Sequence, residues 1–163
     1  MTLHHRLQRR IATPLGPLTA ARSATGLSGL WFDDQKHHPG PLDVPVDDGA
    51  DPVLAATADA LAAYFGGQSF TLPPLDPAGT AFQRAVWQAL LDIPPGTPAT
   101  YGRLAERLGR AQGARALGAA VGRNPISILI PCHRVIGADG SLTGYAGGLA
   151  RKQALLALEG GAA

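Results

Sequence analysis

An α+β fold in two parts is predicted by three features of the chain. Apolar residues alternate around turn signals in its first third, helix-period stripes fill its second half, and the Pro-rich segment FTLPPLDPAGT separates the two. The expected domains are residues 1–75, an antiparallel sheet with one helix, and residues 80–163, mainly helical. With 163 residues of which 45% are hydrophobic, there is enough apolar surface to build a core.

In RRIATPLGPLTAARSATGLSGLWF the alternation breaks at Pro14-Leu15-Gly16-Pro17 and at Thr25-Gly26, so two or three antiparallel strands are expected, the last over Gly29 to Phe32. Residues 33–51 carry Pro, Asp and Gly without a period and read as an exposed, partly mobile loop. Val53 to Phe65 places Leu54, Ala58, Leu61 and Phe65 on one stripe, a helix ended by Gly66-Gly67.

Thr80 followed by Gln83 has the form of a capping box, and Phe82, Ala85, Val86, Ala89 and Leu90 recur at helical spacing until Pro94-Pro95-Gly96. Thr100 can cap a second helix with Tyr101, Leu104, Ala105 and Leu108 on one face, ended by Gly109. A turn at Arg110-Ala111-Gln112 leads to a third helix, Gly113 to Val121, with Ala114, Leu117 and Val121 inward. Two short helices joined by so tight a turn form a helix-turn-helix. The outer face of the third helix sets one long cation, Arg115, among small residues. That pattern suits either an Ala-rich helix chosen for propensity or a helix laid against nucleic acid.

Charge supports the division. Residues 1–79 hold five Lys/Arg against eight Asp/Glu, whereas residues 80–163 hold nine against four, and nearly all of these cations are Arg. An Arg excess suits phosphate contact as well as plain solubility. There is no N-terminal apolar stretch, no long apolar run and no lipidation signal, which predicts a cytoplasmic protein without a membrane partner.

The only cysteine, Cys132, follows the apolar run ISILI and sits in Pro131-Cys132-His133. It reads either as a small core hydrophobe or as a nucleophile. An ordinary thiol, with a pKa of about 8.5, is mostly protonated at neutral pH, so a nucleophilic one needs a base or a cation beside it. His133 is adjacent, and Asn124 and Glu159 are polar groups that a turn and the final helix, Leu149 to Leu158, could return to it. If His133 and Glu159 act on the thiol, its pKa is expected to fall.

The run PCHRVIG, with Asn124-Pro125-Ile126 before it and GYAGGL at 144–149 after it, resembles the active-site region of the O6-alkylguanine-DNA alkyltransferases, or methylated-DNA–protein-cysteine methyltransferases. The similarity extends through FQRAVWQALLDIPPGTPATYGRLA, ARALG and RKQALLALEG, about residues 80–160, and PLGPLT with SATGLSGLWF is similar to the family's more variable first domain.

The resemblance implies a ribonuclease-H-like first domain and a winged helix-turn-helix second domain. It also implies irreversible, single-turnover alkyl transfer from O6-alkylguanine, and from O4-alkylthymine, in double-stranded DNA bound through its minor groove. By the same resemblance Cys132 is the acceptor, His133 the base acting through a water, Glu159 the carboxylate that orients it, and Asn124 the brace of the turn. Arg115 is the finger that enters the duplex, Ala114, Ala116 and Gly118 form the close-approach face, and Tyr101 and Gly102 contact DNA, Tyr101 crowding the 3′ phosphate. Pro131, Tyr145 and Ala146 line the base pocket. A monomer with no cofactor and no metal is expected.

Departures from the family pattern are mild. Val121-Gly122-Arg123 stands where bacterial members commonly carry Asn-Gly, and Ala146 replaces a Ser, removing one hydrogen bond to O6. The N-terminal half has no Cys for the structural zinc of some relatives, and the doublets His4-His5 and His37-His38 read as exposed loop residues. The fused DNA-methylphosphotriester-accepting domain of larger relatives is not expected, nor is the transcriptional activator role that goes with it. The competing readings are a lesion sensor that binds without reacting, a transcriptional regulator and a cysteine hydrolase. A cysteine at position 132 argues against the first, and the lack of major-groove side chains or a dimerisation segment against the second. The third needs an acyl-enzyme that water can release, whereas a thioether does not hydrolyse.

Overall fold

The computed structural model describes residues 4–109, 113–142 and 144–160. They form two compact units. One is built from the chain up to Ala78 together with Pro125–Leu129, the other from Gly79–Asn124 and the chain from Ile130 onward.

In the first unit β1 (Leu7–Ile11), β2 (Leu18–Arg22) and β3 (Leu27–Phe32) pair antiparallel in sequence order, with Ile11 opposite Leu18 and Leu18 opposite Phe32. All three strands of the expected sheet are present, and every residue of β3 is buried. Gly26 in the second hairpin is dictated by space, because a Cβ there would lie 2.6 Å from the Pro74 carbonyl oxygen.

Helix α1 (Pro52–Phe65) starts at Asp51, whose carboxylate accepts from Leu54 N at 2.9 Å and from Arg22 Nη1 at 2.8 Å. Its buried face differs from the expected stripe. Leu54 and Leu61 are inward as anticipated, but they are joined by Thr57, Ala60 and Tyr64 rather than by Ala58 and Phe65, which are half-buried. A polar Thr is tolerated there because its hydroxyl donates to the Val53 carbonyl at 2.9 Å.

The 33–51 loop is tethered over its later part. Gln8 N donates to Pro45 O at 3.0 Å, Asp47 N to Gln8 O at 2.7 Å, and the Gln8 amide to the carbonyls of Leu42 and Val44. It therefore covers the outer edge of β1, which would otherwise offer unpaired backbone groups. His4 and His5 are corrected from exposed to half-buried, with ring nitrogens on the Asp76 carbonyl at 2.8 Å and Ser28 Oγ at 2.7 Å. Among the described residues no group of three or more His, Cys, Asp or Glu is arranged to hold a metal ion.

The ISILI run is buried throughout, but it forms a fringe of the sheet instead of a regular strand. Leu30 N donates to Pro125 O at 2.8 Å and Ser127 N to Leu30 O at 2.9 Å, pairing Ile126 with Leu30 in parallel. The run then bends at Ile128, whose φ of 71° is one that β-branched residues rarely adopt. Leu129 N closes this bend on Ser127 O at 2.8 Å, a three-residue turn of the strained kind.

In the second unit α2 (Ala81–Leu90) opens with the reciprocal Thr80–Gln83 capping box. Its buried face includes Trp87, which the apolar stripe omitted, with its indole N–H donating to the Ala120 carbonyl at 2.8 Å. Strand β4 (Ala99–Thr100) runs into α3 (Tyr101–Arg107), where Thr100 Oγ1 accepts from Arg103 N at 3.2 Å. Only Leu104 of the predicted α3 stripe is fully buried.

Helix α4 (Gly113–Gly122) packs against α2 and α3 through Leu117, Ala120 and Val121. Ala114, expected inward, is exposed, since the covered part of the helix begins one turn later at Leu117. The turn expected at 110–112 lies outside the described residues. Strand β5 (Val135–Ile136) pairs in parallel with β4, and α5 (Leu149–Leu158) closes the unit. Among the described residues no helix is long and apolar enough to cross a membrane.

Candidate active site

Pro131 directs the chain into the site. Its φ and ψ of −83° and 62°, with Cys132 N donating to Ile130 O at 2.8 Å, make an inverse γ-turn. A single 3₁₀ turn, Cys132–Arg134, follows. The tight backbone leading into the thiol is thus set by the bend at Ile128 and by the proline, and the 3₁₀ turn holds it on the other side.

Asn124 terminates the α4 segment and is 5% exposed. Its Nδ2 donates to the Ile130 carbonyl at 2.8 Å, tying together the two points between which Pro125–Leu129 joins the first unit. The same side chain hydrogen-bonds Cys132 and favours its thiolate.

Cys132 is 7% exposed, and burial pushes its thiol up to about 11 against the smaller favourable effects of Asn124 and Lys152. The expected lowering of the thiol pKa is therefore overturned: desolvation outweighs the polar neighbours, and the resting sulfur is a protonated thiol. For such a thiol to act as a nucleophile, a base would have to take its proton as the sulfur attacks.

His133 is fully buried, and Glu159 Oε2 lies 2.7 Å from its Nε2. Burial lowers its pKa, opposed by the hydrogen bond and charge of Glu159 and reinforced by the charges of Arg134 and Lys152. A neutral imidazole facing a carboxylate carries its proton on Nε2 and donates it there, which leaves the lone pair on Nδ1. That nitrogen is buried with no hydrogen-bond partner among the described residues. The Tyr145 ring stands edge-on to the imidazole at 6.3 Å between centroids, and Ala146 follows it, half-buried.

Two groups of this site were not singled out in the sequence. Arg134, the fourth letter of the PCHR run, donates from Nε and an Nη to the two oxygens of Glu159 at 2.9 and 3.1 Å, and from its other Nη to the Ile93 carbonyl at 2.6 Å. Lys152 on α5 has no exposed surface and donates from Nζ to the Val135 carbonyl at 2.6 Å. Burial lowers its pKa while Cys132 raises it. A lysine inside an apolar helix stripe was the available signal, since a buried ammonium requires a partner.

The helix-turn-helix residues lie in the same unit. Arg115 and Ala114 are exposed on the first turn of α4, and Ala116 and Gly118 are half-exposed. Tyr101 opens α3, half-buried, with Gly102 exposed beside it. A Cβ added at Gly118 would meet nothing within 4 Å, so packing inside the chain does not demand glycine there.

Residues 7–77 match the family model for the 6-O-methylguanine DNA methyltransferase ribonuclease-like domain, and residues 81–161 match the model for the DNA-binding domain of the same proteins. The methylated-DNA–protein-cysteine methyltransferase of Mycobacterium tuberculosis is 47% identical over 152 residues, covering 93% of this chain and 90% of the relative. That of Salmonella typhimurium is 47% identical over 163 residues, covering 94% and 95%. The crystal structure of Mycobacterium tuberculosis OGT in complex with DNA superposes with a TM-score of 0.85 at 46% identity, over 94% of this chain and 92% of that one. With both domains matched and relatives this similar along nearly their whole length, the chain belongs to the O6-alkylguanine-DNA alkyltransferase family, the methylated-DNA–protein-cysteine methyltransferases.

Proposed function

We propose that this protein repairs duplex DNA by taking the alkyl group of O6-alkylguanine, and of O4-alkylthymine, onto Cys132 in a single irreversible turnover, as a cytoplasmic monomer without cofactor. The observation that carries the reading is one buried thiol followed, in the same 3₁₀ turn, by a buried imidazole whose Nε2 is anchored on Glu159.

In the reaction, Sγ attacks the alkyl carbon and the S–C bond forms as the C–O6 bond breaks. The electron pair of that bond leaves with the base, whose anion takes up a proton from water to restore guanine. The thiol proton passes through a water molecule to Nδ1 of His133, and Glu159 stabilises the imidazolium that results. Tyr145 hydrogen-bonds the departing base, and Pro131 and Ala146 wall the pocket. Asn124 holds the turn and favours the developing thiolate. Thioether formation has no hydrolytic exit, so each molecule acts once.

Delivery of the base falls to the helix-turn-helix. Ala114, Ala116 and Gly118 allow α4 to approach the minor-groove backbone closely, and Arg115 enters the stack as the lesion leaves it. Tyr101 and Gly102 meet the phosphates beside the flipped nucleotide. Flipping costs a few kcal/mol, less where alkylation has already weakened the pair.

The decisive experiment weighs the intact protein after incubation with an O6-methylguanine duplex. A gain of one methylene, mapped to Cys132, is expected at one equivalent and no more. Tight lesion binding with no mass gain would instead identify a sensor and reject alkyl transfer. Methyl, ethyl and benzyl adducts compared in the same assay read out the pocket's capacity.

A further inference from the structure

Arg134 is more than an ion-pair partner at the edge of the site. It grips Glu159 with Nε on Oε1 at 2.9 Å and an Nη on Oε2 at 3.1 Å, and its remaining Nη holds the Ile93 carbonyl at 2.6 Å. Glu159 is the C-cap residue of α5. The carboxylate is presented to His133 Nε2 at 2.7 Å by a guanidinium fixed at three points.

We propose that Arg134 is a positioning residue for proton transfer: by clamping both oxygens of Glu159 to the Ile93 loop, it fixes the His133 proton on Nε2 and keeps Nδ1 as the base. This rests on the alkyl-transfer reading above and deepens it.

Two physical effects follow from the geometry. Orientation is the first. A carboxylate held on a planar fork has one oxygen edge to offer the imidazole, so the ring cannot turn to present Nδ1 to Glu159 without losing the bond.

Charge is the second. The groups facing His133 are Glu159 and Lys152 from the α5 segment, Arg134 from its own turn, and Tyr145 from the loop before α5. Of these only Glu159 favours the imidazolium, and Arg134 shares that carboxylate and opposes the protonated ring. Without Arg134 the charge that opposes protonation of His133 is removed while the Glu159 bond remains, which favours a proton on Nδ1 and the loss of its lone pair.

The test compares wild type, Arg134→Met and Arg134→Lys as full-length proteins. Long-range proton–nitrogen NMR of the imidazole should show a fixed Nε2–H tautomer in wild type at neutral pH, and mixed tautomers or imidazolium in Arg134→Met. In single-turnover transfer from an O6-methylguanine duplex, Arg134→Met should lose about tenfold at neutral pH, and its acid limb should move up by about one pH unit. Duplex affinity should stay within about twofold, because the guanidinium is engaged by Glu159 and the Ile93 carbonyl and is not among the proposed DNA contacts.

Arg134→Lys keeps the charge without the fork and should show a smaller change in the same direction, which serves if the methionine variant does not fold. A folded Arg134→Met with a fixed Nε2–H tautomer and an unshifted pH profile overturns the proposal. The NMR measurement stands apart from turnover. If wild type transfers no alkyl group, the functional reading fails while the tautomer in the two variants still decides the role of Arg134.

Discussion

Asn124 Nδ2 and the Ile130 carbonyl are joined by a 2.8 Å hydrogen bond across the segment that leaves the helical unit and returns to it. One side chain thus sets the spacing from which the cysteine turn begins, and also bears on the sulfur itself.

Replacing Asn124 with Ala leaves the buried Ile130 carbonyl with the Cys132 N–H as its remaining donor, and the lost hydrogen bond should cost about 0.5–1.5 kcal/mol of stability in urea unfolding. The thiol should also become harder to ionise, since one group that favours the thiolate is gone. Alkyl transfer should slow more than the stability loss explains. A variant as stable and as fast as wild type would remove Asn124 from the site.

His133→Ala should slow transfer at neutral pH by about a hundredfold. In wild type the imidazole is held neutral by burial, so the rate should stay on its plateau below the ordinary histidine value and fall only in more acid solution. Without the imidazole only ionised thiol reacts, so the variant's rate should climb with pH until Cys132 ionises near 11. Equal rates for the two proteins at neutral pH would exclude His133 as the base.

The raised Cys132 pKa also predicts an alkaline effect on folding. The native thiol keeps its proton up to about 11, whereas the unfolded one loses it above its ordinary value. Its contribution is complete below that ordinary value and is lost as pH rises through the folded one, by about 2–3 kcal/mol in all. Subtracting the unfolding free energy of Cys132→Ser from that of wild type, from pH about 8 to 11, isolates it. A difference that does not change with pH would show that the native thiol titrates normally.

Arg115→Ala should impair transfer from duplex DNA by about tenfold or more, because the gap left by a flipped base goes unfilled. Reaction with a free O6-benzylguanine base, which needs no flipping, should be nearly unchanged. Equal loss on both substrates would contradict the role of Arg115 as a finger.

What was legible in the sequence was local. The Thr80–Gln83 capping box, the Thr100 cap and the glycine stops carry their geometry in a few adjacent residues, and all occur where expected. The thiol's environment could not be read in the same way. Its pKa depends on how much of the fold excludes water from Cys132, and a Cys-His doublet says nothing about that.

Arg134 and Lys152 escaped for a related reason. Each sits at a position where a solvated cation would look ordinary, and only the fold shows one clamped on Glu159 and the other fully buried. Ala114 erred in the opposite sense, because periodicity gives a helix face but not how far along it the neighbours extend.

The five residues Pro125–Leu129 are donated by one half of the gene to the sheet of the other, through Leu30 and Gln35. A cut near residue 79 consequently does not yield two autonomous fragments. The amino-terminal piece lacks the fringe that pairs with β3 at Leu30, and the carboxy-terminal piece carries a loose apolar loop immediately before Cys132. Expressed separately, the pieces should be poorly soluble and inert; expressed together, they should complement each other. Cys132, as the proposed acceptor, would then report reassembly by a covalent mark that persists after the fragments part.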